Sequence, residues 1–196
     1  MKKRKLQIDV LEQRRLLAVY SPAADAIDGG ADSLRAAIIQ TQTNGTHDTV
    51  ELSEGIYRLS EGDLLINEPD ARLEIRGAGR DRTFVMIESD SRFLDVDFGA
   101  IVDLRGVTVV GGHSEEGGQL RSAGTMTIQD SRFQMGSAIY GGSIFNGGRM
   151  DLSEVQFMQN MAVWGGAIWN HAGATANLDQ VEMVSMSVDR VAYNTL

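Results

Sequence analysis

Cysteine is absent from the 196-residue chain, which excludes disulfide staples, a thiolate nucleophile, iron–sulfur clusters and Cys-ligated zinc. Proline is nearly absent too, at two residues, whereas glycine reaches 22, a balance that points to many tight turns rather than a proline-rich linker. No stretch approaches the roughly 18 apolar residues of a membrane span. The run Leu16-Leu17-Ala18-Val19 also falls short of the seven or so that a secretory h-region needs. A low-hydrophobicity disordered chain is excluded as well, because 42% of the residues are apolar.

Charge is unevenly placed. Residues 1–20 carry six cations (Lys2, Lys3, Arg4, Lys5, Arg14, Arg15) against Asp9 and Glu12, a net of +4, which leaves the remainder at −13. An acidic body excludes nucleic acid as its partner. The first 20 residues are expected to be a basic, targeting-like tail, dispensable to folding.

Internal repetition dominates what is present. Gly117-Gly118-Gln119-Leu120, Gly141-Gly142-Ser143-Ile144 and Gly165-Gly166-Ala167-Ile168 recur at intervals of 24. Leu104, Ile128, Leu152 and Leu178 follow at 24, 24 and 26, each with a large apolar residue five positions on: Val109, Phe133, Phe157, Met183. Period-2 alternation in Val102-Asp103-Leu104, Met126-Thr127-Ile128 and Met150-Asp151-Leu152 makes these segments strands. Short strands repeating every 24 residues stack in register, each pairing in parallel with its counterpart one coil on, about 4.8 Å away. The fold class is therefore all-β, a right-handed parallel β-helix, its hand following from the crossover rule. About four or five coils of two or three strands are expected, with regular repeats over 99–196 and irregular first coils over 49–98. Residues 21–48 form a capping segment, in which Ser33 and the apolar spacing Leu34, Ala37, Ile38 predict a short helix over the first coil.

Three segments carry family resemblances. KLQIDVLEQRRLLAV, with Leu11, Glu12, Arg14, Leu16 and Leu17 in register and Gln13 at the position of the usual Pro, resembles the LEPR-XLL segment of large planctomycete exported or surface proteins. Asp32-Ser33-Leu34-Arg35-Ala36-Ala37-Ile38, followed by Asp48-Thr49-Val50-Glu51-Leu52 and Gly55-Ile56-Tyr57, resembles the CSLREA-type domain that opens many bacterial surface β-helix proteins, with Asp32 and Ala36 at its Cys and Glu. Gly165-Gly166-Ala167-Ile168-Trp169-Asn170 is similar to the repeats of polymorphic outer membrane proteins. These resemblances imply a bacterial secreted or cell-surface protein acting in adhesion or surface structure. Other β-helix relatives are pectate lyases and glycan hydrolases, so fold alone does not choose.

Several motifs carry little chemistry. Gly77-Ala78-Gly79 lacks the third glycine and the following helix of a dinucleotide site and reads as a turn. His47, His113 and His171 share no metal-ligand spacing and are expected in exposed turns. Asn44-Gly45-Thr46 matches a glycosylation sequon but is first a turn signal.

The carboxylates are the candidates for catalysis. The 24-residue register places Asp103, Thr127, Asp151 and Asn177 in one outward ladder and Arg105, Gln129, Ser153 and Asp179 in the next. Asp103 and Asp151 would stand roughly 9.6 Å apart, at the outer limit for an inverting hydrolase pair. Asp130, Glu154 and Arg132 would complete a groove. A lyase would in addition require a Ca²⁺ cage and a basic residue. The aromatics are the candidates for binding: Tyr140 and Trp164 are equivalent one coil apart, as are Phe145 and Trp169, and an outward Phe145–Trp169 platform would stack on a sugar ring or a partner.

The leading expectation is a non-catalytic surface module whose partner is an extracellular glycan or protein. The alternatives are a lyase or hydrolase of acidic glycans, and a non-catalytic carbohydrate-binding surface. Past Met183 no Gly-Gly appears near 191–192, so the last coil is expected to be open and to promote self-association.

Overall fold

The computed structural model describes residues 18–42, 47–69, 72–184 and 193–194. The expectations for the basic tail up to residue 17, for the sequon at 44–46 and for most of the C-terminal stretch after Val184 lie outside the described residues. The chain winds as a right-handed parallel β-solenoid built from four sheets. Sheet A runs Val19–Tyr20, Asp48–Leu52, Arg72–Gly77, Ile101–Arg105, Thr125–Gln129, Arg149–Ser153, Thr175–Asp179. Sheet B runs Gly55–Leu59, Thr83–Ile87, Thr108–Gly111, Arg132–Gln134, Gln156–Met158, Glu182–Val184. Sheet C runs Leu64–Ile66, Leu94–Val96, Leu120–Ser122, Ile144–Asn146, Ile168–Asn170, Tyr193–Asn194. A short sheet D, His113–Glu116, Ser137–Tyr140 and Met161–Trp164, lies between B and C in coils three to five.

The repeat register holds residue by residue: Leu104 pairs with Ile128, Ile128 with Leu152 and Leu152 with Leu178, and Phe133 pairs with Phe157. The described residues form six coils rather than four or five, and three of them carry a fourth strand. The irregular first coils expected over 49–98 are two, with steps along sheet A of 25 and 29 residues and no Gly-Gly landmark. Sheet D escapes the count because its first strand, His113-Ser114-Glu115-Glu116, has no apolar alternation. Val19–Tyr20, at the end of the basic segment, pairs with Thr49 and Val50 and begins sheet A.

Inward residues make a continuous core of Val102, Leu104, Met126, Ile128, Met150, Leu152, Leu120 and Ile144, with the Phe133 and Phe157 rings stacked at 5.6 Å and 18°. Polar ladders fill what remains of the interior. Ser143 Oγ donates to Gln119 Oε1 at 2.8 Å, and Gln119 Nε2 donates to the carbonyls of Val109 and Gln134. Asn146 Nδ2 donates to Asn170 Oδ1 at 2.6 Å. These bonds satisfy buried groups that would otherwise cost about 1–3 kcal/mol each.

The Gly-Gly turns join sheets D and C. Gly141 has φ +68°, and a Cβ there would collide with the Ile144 carbonyl oxygen; one at Gly142 would strike the Gly166 carbonyl of the next coil. Only glycine allows the turns to stack this closely. At the other end of the solenoid, helix α1 (Leu34–Thr41) starts at Ser33, whose Oγ accepts from Ala36 N, and buries Leu34, Ala37 and Ile38 over the first coil. Asp28 locks this cap by accepting from Arg35 Nε at 2.9 Å and from the amides of Ser60 and Glu61. Burial pushes the Asp28 carboxyl up, but Arg35 and those amides outweigh it and hold its pKa below the ordinary value.

Candidate functional site

Two outer surfaces hold the residues singled out from the sequence. The first is sheet A. Its central ladder is Glu74, Asp103, Thr127, Asp151, Asn177, with Arg76, Arg105, Gln129, Ser153, Asp179 beside it. The positively charged neighbours engage the carboxylates. Arg72 pairs with Asp103, Arg76 grips Glu74 with two bonds, and Arg105 approaches Glu74 at 3.3 Å. Asp151 accepts from Asn177 and from Arg149 Nη2 at 3.0 Å. The Asn177 hydrogen bond first, and then Arg149, hold Asp151 below the usual carboxylate range, and Arg76 does the same to Glu74. A glycan-cleaving general acid needs the opposite shift.

Glu154 and Arg132 stand elsewhere. Glu154 occupies the turn from sheet A to sheet B in a left-handed conformation, φ +55°, in step with Asp130 at +40° and Gln180 at +51°. Its amide donates to Asp179 O at 3.1 Å, so the position is set by backbone stacking. Arg132 lies round that corner on sheet B, where it bonds Gln156 at 3.0 Å and Asp81 at 3.0 Å. The four candidates are thus spread over a sheet, a turn and a neighbouring sheet. A groove of about 430 Å³ does follow the turn, lined by Arg105, Gln129, Asp130, Ser153 and Glu154. Arg80 reaches across it to Asp130 at 3.3 Å and to the Glu154 carbonyl at 3.0 Å. Nothing in the residue order signals this reach, since it depends on where the extra residues of coil two fold back. Among the described residues no group of three or more His, Asp or Glu is placed to hold a metal, Ca²⁺ included.

The second surface is the corner where sheet D turns into sheet C. The register pairs Glu116, Tyr140 and Trp164 along D, and Asp95, Arg121, Phe145 and Trp169 along C. One end of the corner is therefore charged and the other aromatic. Arg121 bridges Asp95 at 2.8 Å and Glu116 at 3.2 Å. Tyr140 and Trp169 meet with ring centroids 5.3 Å apart at 53°, and Trp164 is 39% exposed. Beyond Trp164 the outer side of D stays apolar, with Ile139, Met161 and Val163 exposed.

The flat Phe145–Trp169 platform needs correcting. Both side chains point away from the core, but Phe145 is only 7% exposed, because its ring lies against His171 at 5.8 Å and beside the Gly147 turn. It forms the floor of a recess of about 230 Å³ walled by Glu116, Arg121 and His171. Trp169, Tyr140 and Trp164 supply the accessible rings. His113, expected in a turn, instead opens the first strand of D and shares a 2.7 Å hydrogen bond with Ser137. The sequence reading missed Glu116 and Arg121, although the Gly-Gly register that aligned the aromatics would have brought them onto the same rows.

Compared with protein families, with characterised proteins and with solved structures, the chain matches none.

Proposed function

We propose that the chain is a non-catalytic β-solenoid module that acts in adhesion or surface structure, secreted or displayed at a bacterial cell surface. The observation that carries this reading is the state of the sheet A carboxylates. Asn177 and Arg149 hold Asp151 below the usual carboxylate range, and Asp103 is paired with Arg72, so both of these candidate acids engage a partner in a neighbouring coil. A rod of coils stacked in register suits a part that carries load or presents a surface. The resemblance of the N-terminal segment to export sequences, and that of the Gly-Gly repeats to outer-membrane repeat proteins, support placement outside the cell. Among the described residues no helix is long and apolar enough to cross a membrane.

The test is incubation with polygalacturonate and pectate in the presence of Ca²⁺, following unsaturated products by ultraviolet absorbance and reducing ends by colorimetry. No turnover is expected. Turnover that disappears in Asp151→Asn would replace the module with a lyase or hydrolase of acidic glycans working through Asp103 and Asp151.

A further inference from the structure

We infer that the corner between sheets D and C is a binding site for an extended, uncharged glycan. The inference deepens the adhesive reading and rests on it for the ligand being held rather than cleaved. Three features of the corner favour a sugar chain. First, the accessible rings follow the strand register: Tyr140 and Trp164 are in register on neighbouring coils of D, and Trp169 meets Tyr140 from C, one coil on from the buried Phe145. Coils repeat at about 4.8 Å, close to the step between successive sugar rings in an extended polysaccharide. A pyranose presents C–H groups across its flat face, and these sit well on the negative face of an aromatic ring. Secondly, the aromatic rows lead into a recess with Phe145 as its floor and with Glu116, Arg121 and His171 as hydrogen-bonding walls. An apolar surface bordered by a few fixed polar groups can orient hydroxyls. A protein partner would be served by the apolar side of D alone and would not need the recess.

The third feature is charge, and it sets the class of glycan. Arg121 is held between Asp95 and Glu116, and Arg92 is paired with Asp63 at 2.9 Å. Three carboxylates thus surround two guanidiniums at the polar end. Among the described residues of the corner these two guanidiniums are already paired and offer a uronate or a sulfate no free cation, and the acidic body adds long-range repulsion. Hydroxyls need no such cation.

Both tryptophans of the chain stand on this corner, so intrinsic fluorescence reports on it without a label. Cellohexaose, chitohexaose and hexagalacturonate are titrated into the intact chain, and the sugars are recovered and sized by chromatography. A saturable emission change with a neutral hexasaccharide is expected, with at least a ten-fold weaker response to hexagalacturonate and the sugar recovered whole. Trp164→Phe should bind, with Trp169 as reporter. Trp164→Ala should weaken binding at least ten-fold, with an unchanged circular dichroism spectrum. Glu116→Gln should narrow the gap between neutral and acidic sugars.

No saturable change with either neutral sugar at millimolar concentration would overturn the inference, as would hexagalacturonate binding equally well, or Trp164→Ala binding like the parent. If sugars fail while light scattering shows association that Val163→Glu abolishes, the corner belongs to a second copy of the chain and the inference falls. Binding with cleavage would support the site while refuting the non-catalytic reading.

Discussion

Sheet A and the C–D corner lie on one scaffold and use the same strand register, yet they dispose of their outward side chains in opposite ways. On sheet A a carboxylate ladder runs beside guanidinium-bearing ones, so Arg72 pairs with Asp103 and Arg105 with Glu74 across coils, while Arg149 pairs with Asp151 within one strand. At the corner the side chains change from charged at coil three to aromatic at coils four and five, and the rings of Tyr140, Trp164 and Trp169 remain accessible. A parallel solenoid multiplies whatever stands at a given position. When ladders of opposite charge lie side by side, the result is a closed network with little left to offer a ligand. When rings repeat, the result is a surface whose apolar area stays in contact with water and is available to cover something.

The largest effect would erase the comparison by removing what both faces rest on. Phe157→Ala deletes half of the Phe133–Phe157 stack and should cost about 3–5 kcal/mol in urea unfolding. Retention of parental stability would mean that the coils are not held together through this ladder. Gly141→Ala strikes only the corner. It imposes a side chain at φ +68° and against the Ile144 carbonyl, and a loss of about 1–3 kcal/mol is expected, together with altered tryptophan emission.

Acid should act through sheet A and the cap. Asp28, Glu74 and Asp151 all have folded pKa values below their ordinary ones. Their contribution is therefore complete above the unfolded carboxylate range and is lost as the pH falls through the folded values. For Asp151 the exposure of the Arg149 pair keeps the amount small, about 0.2–1 kcal/mol. Asp151→Asn should lower stability by no more than that at neutral pH and should flatten the acid limb of a pH–stability curve. The smallest effect sharpens the contrast most. Trp164→Ala should change stability by only about 0.5 kcal/mol, since its ring serves the surface rather than the core; a loss as large as that of Phe157→Ala would place it in the core.

Much of this was legible in the amino-acid order. The Leu104–Ile128–Leu152 and Phe133–Phe157 ladders, the Ser33-capped helix and the pairing of Tyr140 with Trp164 and Phe145 with Trp169 all follow from a constant 24-residue step combined with period-2 alternation. What stayed hidden depends on departures from that step. Asp95, which holds Arg121, belongs to an irregular coil. Arg80 crosses the sheet A groove from a segment with no equivalent in its neighbours. His171 covers Phe145 from the turn that carries the two extra residues of the last repeat. The Asp28–Arg35 lock escaped because the carboxylate's remaining partners are amides 32 and 33 residues away.

The glycine pairs at the D–C turns also limit how the protein can change size. Each turn fills the space where the next coil's side chain would have been, so the distance between coils cannot be adjusted in small amounts. The rod is a ruler marked every 4.8 Å or so. Copying residues 141–164 in tandem would add one graduation, carrying another Phe145 and another Trp164 into line, and would leave the existing marks in place. The length of the aromatic corner is therefore heritable in whole units and never in fractions of one.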